Sequence, residues 1–165
     1  MRVGTVGLLA VLGLVGLLRR RGATGTASVL AAVGLVLVVA EVLGLTLLGP
    51  DPDAPRRLFL DPLDGARGWS SIAWRPVLDN VALFVPVGAF AAALWWRRHA
   101  AVVWVGCVLG SVAIEAFQYL VPTGRVANTA DVLANAVGAA VGLVLAALAG
   151  ARVAPRPVSP PVPRR

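Results

Sequence analysis

Residues 26–48 read TASVLAAVGLVLVVAEVLGLTLL, and Glu41 is the one charge in the stretch. As a helix this segment is about 35 Å long, enough to cross a hydrocarbon core of about 30 Å. No polar face recurs at helical period and no alternation recurs at strand period. A helix that is apolar all round belongs in a core or in lipid. Four further apolar runs share this character, at about 3–18, 79–96, 100–120 and 129–149. The predicted fold is therefore all-α: a polytopic transmembrane bundle of about five helices filling residues 1–150. The tail, 151–165, holds five prolines and is expected to be extended or disordered.

Composition agrees with that class. Hydrophobic residues make up 58% of the chain and charged residues 14%, against about 25% charged in soluble domains. The net charge of +7 comes entirely from arginine. No arginine-rich and aromatic-rich face lies outside the apolar runs, so nucleic acid is excluded as a partner. Cys107 stands alone, which rules out an intrachain disulfide. No metal site and no cofactor is implied.

The arginines set an expected orientation. Arg19, Arg20, Arg21, Arg97, Arg98, Arg152, Arg156, Arg164 and Arg165 fall on one side with no acid among them. Arg2, Arg56, Arg57, Arg67, Arg75 and Arg125 fall on the other, beside Asp51, Asp53, Asp61 and Asp64. The richer side is expected to be cytoplasmic. This places the protein in the plasma membrane with the N-terminus outside and the C-terminus inside. The first run lacks an A-x-A close and is followed by three arginines, so helix 1 is expected to be retained. Trp69 and Trp74 are expected in an outer loop spanning 49–78. Trp95, Trp96 and Trp104 are expected near the inner interface. Leu58-Phe59-Leu60 reads as either an interfacial segment or a plain loop.

Ionisable groups at membrane depth are costly and usually face a partner or a cavity. The few present here gather towards one leaflet. Glu41 lies late in helix 2, and Asp79 and Asn80 open helix 3. Ser111, Glu115 and Gln118, at i, i+4 and i+7, share one face of helix 4. Asp131 and Asn135, at i and i+4, share one face of helix 5. A short loop makes these two helices antiparallel neighbours. Arg125 on that loop is within reach of Glu115 or Asp131, and Arg pairs well with carboxylates. Ser111 and Asn135 read as interhelical glue. Glu115, Gln118, Arg125 and Asp131 read as a functional cleft.

Small residues repeat every four positions at Ala134, Gly138, Gly142, Ala146 and Gly150, and again at Gly106 and Gly110. Both stripes are expected to let helix backbones approach closely. Pro86 is expected to kink helix 3 and open space beside the polar cluster.

These residues also carry a family resemblance. Asn80, Phe84, Pro86 and Gly88 resemble the N-x-x-x-F-x-P-x-G element of the VanZ-like bacterial membrane proteins. Glu115 and Gln118 resemble that family's E-x-x-Q. Arg125, Asp131, Asn135, Gly138 and Gly142 are in register with its R-x-x-D-x-x-D-x-x-x-N-x-x-G-x-x-x-G. Asn128 departs from the pattern, where an Asp is common, and this lowers the case for a metal at that position. The resemblance covers about 79–145 and implies a multi-helix protein of the cell envelope. The family's namesake is associated with low-level resistance to the glycopeptide teicoplanin, and the resemblance carries no catalytic role.

Three functional classes follow as expectations. The first is an envelope factor whose polar cluster near the outer face binds or acts on a cell-wall component, a lipid-linked precursor or a glycopeptide, with membrane lipids as its surroundings. The second is an intramembrane enzyme using Glu115 or Asp131 as general base and Arg125 as anion clamp. His99, the sole histidine, falls on the opposite side. The third is a small proton-coupled transporter, against which stands the lack of two matched halves.

Overall fold

The computed structural model describes residues 3–47, 57–62, 74–121 and 126–151. Five helices account for nearly all of them. Helix α1 spans Val3–Arg20 and α2 spans Thr24–Leu47. A continuous run, Trp74–Leu120, is broken at His99, where φ is −151° and ψ is 42°. It therefore comprises two spans, α3 (Trp74–Trp95) and α4 (His99–Leu120). Helix α5 is Thr129–Ala151. Among the described residues, α2, α3, α4 and α5 are long and apolar enough to cross a membrane. At 18 residues, α1 is about 27 Å long, short of the hydrocarbon core.

Two sequence expectations are corrected. Helix 3 begins at Trp74 instead of 79, so Trp74 opens the helix and Asp79 and Asn80 lie in its second turn. Trp74-Arg75-Pro76 starts it because proline fits a helix's first turn, where its missing N–H costs nothing. Pro86 is fully buried inside α3, and the non-helical backbone falls at His99, between the runs expected at 79–96 and 100–120. Of the two readings of Leu58-Phe59-Leu60 the plain loop gives way: Leu58–Phe59 is a two-residue strand, β1, paired in parallel with β2, Ala127–Asn128. The long loop's other residues, Trp69 among them, and the tail from Arg152 lie outside the described residues.

The α1–α2 turn has a local cause. Gly22 takes φ +81°. The Ala23 N–H donates to Leu18 O at 3.0 Å, and the Gly22 N–H to Arg19 O at 3.1 Å. This is the Schellman pattern, in which a left-handed residue closes a helix end and satisfies its last carbonyls. Arg19 donates onward to the Ala93 carbonyl near the end of α3. The C-terminal ends of α1 and α3 thus lie together, and Arg20 and Arg21 are exposed beside them.

The centre of the bundle is α3 against α5. A side chain added at Gly138 would place its Cβ 2.3 Å from Val81 O, at Gly142 2.1 Å from Val85 O, and at Gly88 2.2 Å from Ala139 O. The contact advances in the same direction along both helices, so they run parallel. On the other flank α2 packs against α3, where Gly34 makes room for the Phe90 ring. The core is Phe84, Phe90 and small or β-branched residues such as Ala31, Val38 and Ala139. The outward faces carry Val36, Leu109, Leu133 and Val144, all exposed. Small residues inside and large apolar ones outside suit a bundle surrounded by hydrocarbon.

Candidate functional site

One end of the bundle gathers the polar chemistry. The face of α4 read from the spacing turns inward: Ser111 and Gln118 are buried and Glu115 is half-buried. Val112, Ala113, Ala116 and Phe117 between them are exposed. The partner face on α5 behaves alike, with Asn135 buried and Asp131 half-buried. Asn80 in α3 is half-buried. Arg125, and with it the expected pairing with Glu115 or Asp131, lies outside the described residues.

The Asn135 amide donates to Ser111 Oγ at 2.8 Å in the buried α4–α5 interface. This is the glue expected of the pair, and such bonds are worth roughly 0.6 kcal/mol on average in membrane proteins. The Asn135 Oδ1 atom is buried without a hydrogen-bond partner. Nearer the end, Glu115 Oε2 accepts the Asn128 backbone N–H at 2.7 Å. Asn128 Oδ1 in turn accepts the Ala130 N–H at 2.9 Å, which makes Asn128 the N-cap of α5. Asp131 then stands at the third helical position, where an acid complements the positive end of the helix dipole.

Residues not singled out in the sequence complete the arrangement. Thr129 donates its hydroxyl to Leu60 O at 2.7 Å, and the Ala127 N–H donates to Arg57 O at 3.1 Å. With the β1–β2 pairing, these bonds fasten the strap 57–62 across the start of α5. A two-residue strand has no periodicity to detect, and its partner lies far along the chain, so the sequence offered no signal for it. The strap roofs a cleft of about 510 Å³ between α4 and α5. Its walls include Leu58, Leu60, Val112, Tyr119 and Leu133, with Glu115 and the Asn128–Thr129 segment at the polar edge. Glu115 is the one charged residue on the cleft wall among the described residues. Gln118, Asp131, Asn135 and Asn80 are not on that wall. The cluster therefore divides into a cleft-facing part, at Glu115, and an interior part.

Trp104, in the second turn of α4, donates its indole N–H to Ala136 O of α5 at 3.0 Å, so the ring ties the two helices. No group of three or more His, Cys, Asp or Glu able to hold a metal occurs among the described residues.

A family model described as VanZ/LLP1 matches residues 50–150. The match takes in the strap, α3, α4 and nearly all of α5, and so extends the 79–145 resemblance towards the N-terminus. No curated protein and no solved structure matches the chain.

Proposed function

Because the chain belongs to the VanZ/LLP1 family, we propose that this multi-pass membrane protein serves the bacterial cell envelope by binding a cell-wall component or its lipid-linked precursor in the strap-roofed cleft. The observation that carries the reading is Glu115, a carboxylate on the wall of a cleft that is otherwise nearly all apolar. Apolar walls with a few fixed polar groups suit an amphiphile whose head hydrogen-bonds and whose tail lies in hydrocarbon. Arg125, three residues before Asn128 in the sequence, is the cation assigned to an anionic part of that head. In this reading the strap end faces the outer surface, where wall precursors are displayed, and the arginine end faces the cytoplasm.

The test uses the full chain with Glu115→Gln, Arg125→Ala and Asp131→Asn. Binding of a lipid-linked wall precursor by the purified protein, and growth of the expressing strain in glycopeptide, are the readouts. Loss of both at unchanged membrane levels is expected. Normal binding in all three variants would reduce the cluster to packing. Formation of a product from the precursor would turn the binder into an enzyme with Glu115 as general base.

A further inference from the structure

Of the strap residues 57–62, Phe59 is half-buried and the others are exposed. Little apolar contact therefore holds the strap down, and segments of that kind open most readily. Hydrogen bonds to the short stretch 127–129 fasten it instead. Arg57 O accepts the Ala127 N–H, Leu58 and Phe59 pair with Ala127 and Asn128, and Leu60 O accepts the Thr129 hydroxyl. The same hydroxyl oxygen lies 3.3 Å from Phe59 O.

The stretch 127–129 is itself tied to α4 by Glu115. The Oε2 atom accepts the Asn128 N–H at 2.7 Å, a bond strengthened by the charge of the acceptor. Glu115 also stands on the wall of the cleft that the strap roofs. One carboxylate thus meets both the space for an occupant and the strand on which the roof hangs. A head group that draws the carboxylate towards itself pulls it from Asn128 and loosens the ladder above. The flank of the cleft differs. Val112 and Leu133 line it and are exposed, so a hydrocarbon tail reaches it from the lipid with the strap in place. We propose that the strap is a gate on the polar edge of the cleft, latched by the Thr129 hydroxyl and tethered through β2 by Glu115, and that it opens to admit the head of an amphiphile. The gate rests on the reading of the cleft as the binding site, and Thr129 is a positioning residue in it.

Two measurements on the full chain test the gate. Amide hydrogen exchange of 57–62 and 126–130, in phosphatidylcholine nanodiscs, reads the strap without any ligand. Thr129→Val and Glu115→Leu should each speed exchange there about tenfold. Thr129→Ser keeps the hydroxyl and Glu115→Gln keeps an acceptor oxygen, so both should stay near the parent. Unchanged exchange in Thr129→Val and Glu115→Leu overturns the gate, as does a rise shared by the core of α3. The second measurement locks the strap. Leu58 and Ala127 are partners across the ladder and both line the cleft, a placement that suits a disulfide. Leu58→Cys with Ala127→Cys, in a Cys107→Ser background, is compared oxidised and reduced as it takes up the lipid-linked wall precursor. Uptake should be about tenfold slower when oxidised, since the head must then enter past a fixed roof. Equal rates overturn the gate and leave the cleft as the binding site. Absence of binding by the parent protein overturns the reading of the cleft, and the exchange measurement then decides whether the strap opens.

Discussion

Asn128 serves two neighbours at once. Its side chain caps α5 through Ala130, and its backbone N–H meets Glu115 of α4. Asn128→Ala should therefore cost about 1 kcal/mol, the usual loss for a removed N-cap, and lower the thermal midpoint in detergent. Asn128→Asp keeps the acceptor and should stay close to the parent, since the two caps rank alike. That expectation reinterprets the family departure at this position: the amide retains the oxygen that the helix start uses. Asn128 stood out in the sequence only as a departure from the family pattern, although Asn128-Thr-Ala-Asp131, a capping residue followed three positions later by an acid, carried the signal of a cap. The inward face of Ser111, Glu115 and Gln118 was legible from spacing. The division of the cluster was not. Whether Glu115 faces a cleft while Gln118 is buried depends on how the strap and α5 lie against α4, and no local pattern encodes that.

Two kinds of glycine separate at the level of the helices. Gly88, Gly138 and Gly142 sit where an added Cβ would run into the backbone of the facing helix. Backbone cannot rotate away as a side chain can, so Ala at any of the three should destabilise by about 1–3 kcal/mol or more. Gly106 and Gly110 face open space. Ala there should be neutral or stabilise by up to about 1 kcal/mol, through helix propensity alone. Thermal unfolding of the five single variants in one detergent checks the contrast. The sequence showed both stripes but not which one is engaged, because spacing defines a face and not its neighbour. Helix existence was legible for a related reason: long apolar runs leave the backbone no other way to satisfy its hydrogen bonds in lipid. The start of α3 was misplaced because Trp74, Arg75 and Pro76 read as loop when judged by hydropathy. The break at His99 was legible, because Arg97, Arg98 and His99 interrupt the apolar runs on either side.

The molecule as a whole is polarised along its helices. Arginine gathers at the α1–α2 and α3–α4 turns, and carboxylates gather towards the strap. Leu60, which is 71% exposed in the strap, and Arg21, exposed at the α1–α2 turn, report the two ends. In a Cys107→Ser background, Leu60→Cys should react with an impermeant thiol reagent applied outside intact cells, and Arg21→Cys should react only after the membrane is opened. The reverse pattern would invert the orientation on which the proposed function rests. The parallel contact of α3 with α5 also bears on how the protein is made. Neighbours in a nascent chain meet as hairpins, yet the tightest seam here joins helices separated by a whole intervening span. Until the final span leaves the ribosome, the glycine face of α3 has no partner and the cleft has no second wall. Assembly is therefore closed from the C-terminal side, and a chain stalled before residue 129 carries an unsealed seam for the cell's membrane quality control to find.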